Sequence, residues 1–140
     1  MLKVWIDGAC EPVNPNGTAS YGIVIKQEDK LLFSDSRIVG KGEGMSNNVA
    51  EYAGLLCFLG WYIANGNNEE AVVHSDSQLV VNQMNGNWKA KQGMYYMYYQ
   101  TAKKTLQSLP NHRITFKWIP REENTIADNL SKYAVSKALS

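Results

Sequence analysis

Four acidic residues of this 140-residue chain stand where sites are commonly built. Asp7 closes a stretch in which Leu2, Val4 and Ile6 alternate with Lys3 and Trp5, the period of a strand. Glu51 lies one helical turn before Leu55 and two before Leu59, so its carboxylate is aimed toward the sheet. Asp76 directly follows the short apolar strand Ala71–Ser75, and Asp128 falls in the first turn of the last helix. Carboxylates gathered at strand ends and helix starts repel one another and raise their own pKa values. Cations between them relieve that repulsion. An all-oxygen donor set suits Mg²⁺ or Mn²⁺. Two such ions, roughly 4 Å apart, serve in-line displacement at a phosphodiester.

Each acid also has an ordinary explanation. Asp7 before Gly8 reads as a turn residue. Asn48-x-x-Glu51 and Thr125-x-x-Asp128 both resemble capping boxes, and Asp76 could cap a helix that starts near Gln78. Only their convergence would separate a site from four local caps.

The elements that would bring them together follow from periodicity. Leu2–Asp7, Thr18–Gln27 and Leu31–Val39 read as strands joined by links too short for helical crossovers, hence an antiparallel meander. Tyr52, Leu55, Leu56, Leu59, Tyr62 and Ile63 then fall at helical spacing, closed by Asn65-Gly66. A strand over Ala71–Ser75, a short helix over Gln78–Met84, a helix over Met94–Leu109 before Pro110, a strand over Arg113–Ile119 and a helix over Thr125–Leu139 complete the chain. The order βββαβααβα predicts an α/β fold, a mixed sheet with helices packed on it. The length fits one domain over residues 1–140.

Composition excludes several classes. With 44% hydrophobic and 19% charged residues, the chain is neither a disordered tail nor a charged coiled coil. No apolar run reaches the roughly 18 residues of a membrane span. The early Asp7 argues against a signal peptide. The two cysteines, Cys10 and Cys57, form no CxxC pair, so a reducing cytoplasm is expected. Net charge is +1, yet residues 1–70 hold five Lys/Arg against nine Asp/Glu, and residues 71–140 nine against four. That asymmetry hints at a polyanion-binding face.

Four segments carry a resemblance over nearly the whole length. They are Trp5-Ile6-Asp7-Gly8-Ala9-Cys10, Ser46-Asn47-Asn48-Val49-Ala50-Glu51, Ser75-Asp76-Ser77-Gln78-Leu79-Val80 and Asn124-Thr125-Ile126-Ala127-Asp128-Asn129-Leu130-Ser131. In this order and spacing they resemble type 1 ribonuclease H, the enzymes that cut the RNA strand of RNA/DNA hybrids. The resemblance implies a five-stranded mixed sheet with helices on both faces. It implies that Asp7, Glu51, Asp76 and Asp128 are the catalytic, metal-binding acids, holding two Mg²⁺ or Mn²⁺ ions. It implies hydrolysis to 5′-phosphate and 3′-hydroxyl ends. The partner would be the hybrid, with double-stranded RNA as a further candidate, and the protein would act as a monomer.

Substrate contacts carry over from the same resemblance. Cys10, Asn14, Asn47 and Gln78 match or adjoin positions that touch the RNA strand in the minor groove, where amides suit a 2′-hydroxyl that both donates and accepts. Asn16 is the alternative to Asn14, because the turn is one residue longer than in the family. Ser46 matches a position that holds a DNA phosphate. Two departures stand out. The loop Pro120-Arg121-Glu122-Glu123-Asn124 lacks the histidine of many members and offers Arg121 instead. The basic protrusion is cut to Asn87-Trp88-Lys89-Ala90-Lys91-Gln92-Gly93, where Trp88, Lys89 and Lys91 could still stack and contact phosphate. His74 and His112 read as structural, and the run Met94–Tyr99 as core packing.

Overall fold

A computed structural model describes residues 1–66, 68–90, 92–109 and 112–139. Its five strands are β1 (Leu2–Glu11), β2 (Thr18–Gln27), β3 (Lys30–Lys41), β4 (Glu70–Ser75) and β5 (Arg113–Trp118). The helices are α1 (Asn47–Trp61), α2 (Gln78–Met84), α3 (Tyr96–Gln107) and α4 (Thr125–Leu139). The sheet order is β3-β2-β1-β4-β5. The β1–β2 and β2–β3 pairs are antiparallel, and β1–β4 and β4–β5 are parallel. The mixed sheet expected from the element order is therefore the one observed.

Alternation along β1 sorts the chain onto two faces. Leu2, Val4 and Ile6 face one way and, with Ile23 and Ile25 of β2, meet Tyr52, Leu55 and Phe58 of α1 in the core. Helix α1 lies on β1 and β2, α2 on β4 and β5, and α3 on α1. Helix α4 lies on β2, β1 and β3 from the opposite side. Gly22, the cross-strand partner of Asp7, marks this contact. A Cβ there would come 2.4 Å from the Ala127 carbonyl oxygen and 2.6 Å from Leu130 Cβ. Hydrogen bonds from the Ser20 and Ser36 hydroxyls to the carbonyls of Ser131 and Leu130 fasten the same helix.

Three boundaries differ from expectation. Strand β1 does not stop at Asp7 but runs to Glu11, because β2 pairs with it up to Glu11–Thr18. Its parallel pairing with β4 ends at Trp5–His74. Asp7 therefore lies just past the point where β4 parts from β1, at the mouth of a crevice between two parallel strands. Helix α1 continues into a π-helical turn, Tyr62–Gly66. Helix α3 is shorter than Met94–Leu109, and Pro110 lies outside the described residues. Tyrosines at and just before its start pack on the core: Tyr95 stacks on Tyr52 at 5.9 Å, and Tyr99 meets Tyr52 edge-on at 6.0 Å. Among the described residues, no helix is long and apolar enough to cross a membrane.

Candidate active site

The caps available to the four acids go to other residues. Ser46 caps α1, its Oγ accepting from the Val49 N–H at 3.1 Å. Glu51 is thus the fifth residue of the helix, too deep for a capping box. Ser77 caps α2, its Oγ accepting from Val80 N–H at 3.2 Å, which leaves Asp76 free. At α4 the Asn124 carbonyl accepts from the Asp128 N–H at 2.9 Å, so Asn124 and not Thr125 stands at the helix entrance. Three local explanations for acids in these positions therefore fall away.

Close backbone approach positions Glu51. A Cβ on Gly8 would lie 2.5 Å from the Glu51 nitrogen and 2.8 Å from the Ala50 carbonyl carbon, so only glycine lets α1 sit this near β1. The Gly8 N–H donates to Glu51 Oε1 at 2.8 Å, and the Ser75 hydroxyl donates to Oε2 at 3.2 Å. Ser75 Oγ in turn accepts from Ser77 N–H at 3.0 Å, tying the turn that carries Asp76. The Trp118 indole N–H donates to the Asp76 carbonyl at 3.2 Å from the neighbouring strand. Asn124, 1% exposed, donates its amide to the Ile6 carbonyl at 2.8 Å, which fixes the start of α4 beside Asp7.

The result is convergence. One carboxylate oxygen each from Asp7, Glu51 and Asp76 lie within 4.8 Å of one another. Asp128 lines the same cavity of about 540 Å³. Arg121 and Lys132 flank its carboxylate, each at 3.7 Å. Asp7 and Glu51 are buried, 5% and 3% exposed. Burial first, and then the charge of Glu51, pushes the Asp7 carboxyl up to about 10. Burial pushes Glu51 up to about 7, against hydrogen bonds that favour its charged form. Burial also raises Asp76, with the Arg121 charge opposing. Such a cluster holds protons because it lacks enough positive charge to ionise fully. A hard divalent cation, replacing those protons, fits its all-oxygen donors.

The other residues singled out from the sequence divide by position. Cys10, Asn14, Asn47, Gln78 and Arg121 line the carboxylate cavity. Asn14 Oδ1 accepts from the Asn47 N–H at 3.1 Å, so Asn14 rather than Asn16 faces the α1 entrance. Asn16 instead adopts a positive φ of 76° in the turn. Ser46 lines an adjoining groove with Asn47, Gly93 and Tyr95. Trp88 is exposed and lines neither. Lys91 lies outside the described residues. His74 Nδ1 donates to the Val4 carbonyl at 2.9 Å, and His112 Nδ1 accepts from Ile114 N–H at 3.2 Å. The sequence reading missed Ser75, Trp118 and Lys132. Lys132 had a signal, its i,i+4 spacing from Asp128, whereas Trp118 reaches the site only through the β4–β5 register.

A five-stranded mixed sheet with acids at the parted ends of its parallel strands defines the ribonuclease H-like class. Residues 6–134 match the family model described as reverse transcriptase-like. The bifunctional protein Rv2228c of Mycobacterium tuberculosis is 38% identical over 127 residues, covering 89% of this chain and 33% of that protein. This chain thus spans about a third of the length of that relative. The crystal structure of LC11-RNase H1, an enzyme isolated from compost, in complex with an RNA/DNA hybrid superposes with a TM-score of 0.87 at 32% identity, covering all of both chains. The N-terminal RNase H domain of Rv2228c superposes with a TM-score of 0.81 at 34% identity, covering 99% of this chain and 97% of that one. The chain belongs to the type 1 ribonuclease H family.

Proposed function

We propose that residues 1–140 act as one domain, a metal-dependent endoribonuclease that hydrolyses the RNA strand of RNA/DNA hybrids to 5′-phosphate and 3′-hydroxyl ends. The observation that carries this reading is the convergence of Asp7, Glu51 and Asp76 within 4.8 Å, with Asp128 on the same cavity. Those four carboxylates would hold two Mg²⁺ or Mn²⁺ ions. When bound, the ions supply Lewis acidity, acidifying the attacking water and stabilising the leaving 3′-oxygen. The protein supplies position. The Gly8 amide and Ser75 hydroxyl hold Glu51 in one orientation, so that its carboxylate costs little to arrange at binding. Arg121, beside Asp128, brings fixed positive charge to a phosphate in the cavity. Asn14, Asn47, Gln78 and Cys10 line the wall where the amides meet 2′-hydroxyls of the RNA strand. Ser46 takes a DNA phosphate in the adjoining groove, and Trp88 lies out along the duplex. The enzyme acts as a monomer in the cytoplasm, where Cys10 and Cys57 stay reduced as free thiols.

Cleavage of an end-labelled RNA strand annealed to DNA tests this, with Mg²⁺, with Mn²⁺ and with chelator. Metal-dependent cutting that is lost in Asp76→Asn is the expected result. Cutting of an all-RNA duplex in parallel would widen the substrate to double-stranded RNA. Tight hybrid binding without cutting in either metal would replace the enzyme with a binding module.

A further inference from the structure

The face of the sheet opposite α1 is only partly covered. Helix α4 crosses β1, β2 and β3 and, among the described residues, makes no substantial contact with β4 or β5. Two register rows run across that face. Lys26, Lys3, Val72 and Thr115 form one, and Val24, Trp5, His74 and Lys117 the other, with Val24 buried and the rest at least partly exposed. Lys26 and Lys3 are direct cross-strand partners, a pairing of like charges that weakens a sheet. Among the described residues, Lys3, Lys26 and Lys117 make no ion pair. Folding does not need this charge, and an anion would relieve it.

The second row adds a flat surface. Trp5 and His74 stack at 5.0 Å with 13° between their planes. Trp5 also walls a slot of about 290 Å³, closed on its far side by Val24 and the first turn of α4 at Ile126. The slot is mostly apolar and small, near the lower end for a ligand pocket, roughly 300 Å³. A single planar ring fits that description better than a peptide side-chain cluster does. Aromatic rings on an open sheet with lysines around them form the usual platform for unpaired bases and their phosphates. Two acids border the patch. Glu70 faces Arg113 across the β4–β5 pair, and Glu123 stands at the slot rim near Lys26.

We propose that this open face is a second nucleic-acid-binding surface, which takes a single strand, one base in the slot against Trp5 and phosphates on Lys3, Lys26 and Lys117. The face adjoins the carboxylate site through β1, where Trp5 and Asp7 point the same way two residues apart. A strand leaving the site therefore reaches it without turning round the molecule.

The test uses a fluorescein-labelled 12-residue oligothymidine and oligouridine, anisotropy, and chelator throughout, so that it does not depend on cleavage. The native protein binds, and log K falls with log[salt] at a slope of about −2 for three phosphates. A combined Lys3→Gln, Lys26→Gln, Lys117→Gln variant binds at least about tenfold more weakly with a slope near zero. It melts at or slightly above the temperature of the native protein, since the Lys3–Lys26 repulsion is gone, and cuts a blunt hybrid at the native rate. Trp5→Leu weakens binding without changing the slope. Unchanged binding by the triple-lysine variant overturns the proposal. So does binding that is lost instead with Trp88→Ala and Lys89→Gln. Displacement of the oligonucleotide by polyglutamate at equal charge concentration also overturns it, in favour of an acidic protein segment.

Discussion

The Gly8 N–H donates to Glu51 Oε1 at 2.8 Å, and the missing Cβ of Gly8 is the space in which the Glu51 backbone sits. One residue thus sets both the distance between β1 and α1 and the orientation of a candidate metal ligand. Gly8→Ala would place a methyl 2.5 Å from the Glu51 nitrogen, a contact with backbone that no rotamer relieves. The expected result is a loss of about 1–3 kcal/mol in a denaturant melt. Hybrid cleavage should fall at least tenfold, since a shift of about 1 Å in positioned groups costs that much or more.

Ser75 acts on the same carboxylate from the other side, through a bond of 3.2 Å to Oε2. Ser75→Ala removes that donor and the acceptor for Ser77 N–H while leaving every acid in place. Titration calorimetry with Mn²⁺ should show affinity reduced by about 10-fold or more, the usual effect of losing an outer partner of a ligand. Unchanged affinity would mean that the Gly8 amide alone orients Glu51.

The buried acids make a prediction about pH in the absence of metal. Asp7 and Glu51 carry folded-state values pushed up to about 10 and about 7, and Asp76 is raised as well. A carboxyl whose folded value exceeds its unfolded one stabilises the fold fully below the unfolded value, near 4. That contribution is lost as pH rises through the folded value. In chelator, the melting temperature should therefore fall as pH rises from about 4 to about 10, with the Glu51 contribution spent near pH 7 and that of Asp7 still being lost up to about pH 10. Asp7→Asn should flatten the fall and raise stability at pH 8 by on the order of 1–3 kcal/mol. Added Mg²⁺ should restore the native protein most at high pH, because metal and protons compete for the same oxygens.

Asp128 lies 3.7 Å from both Arg121 and Lys132, and the two cations should separate in function. Lys132→Ala leaves stability within about 0.5 kcal/mol, as expected for an exposed pair. Arg121→Gln should raise KM for hybrid and reduce the salt slope of binding by about one unit, the signature of a lost phosphate contact. A variant that changes the pH–rate profile and leaves KM alone would assign Arg121 to the attacking water instead.

Asn124 links the last helix to the first strand through the Ile6 carbonyl at 2.8 Å, and its Oδ1 has no partner among the described residues. Asn124→Ala would leave that carbonyl without its side-chain donor and loosen the α4 entrance, at a cost of about 1–3 kcal/mol. Amide exchange should rise first in the opening turn of α4, around Asp128.

Much of the architecture is legible in the sequence because it rests on local periodicity. Alternation in Leu2–Ile6, helical spacing in Tyr52–Ile63 and the short links among the first three strands set element types and the antiparallel half of the sheet. The four acids could be singled out for the same reason, since each is fixed to the end of an element. Their competing readings as caps rest on equally local patterns. Which of Ser46, Asn48, Ser77, Asp76, Asn124 or Thr125 actually caps depends on where each helix begins, a matter of one or two residues. What only tertiary structure decided is how near separate segments come. Strand β1 outruns its pairing with β4 and opens the crevice at Asp7, and Gly8 and Gly22 let α1 and α4 close on it from opposite faces. The burial that raises Asp7 and Glu51 exists only after those approaches, because desolvation and charge crowding belong to the assembled space and not to any one stretch of chain.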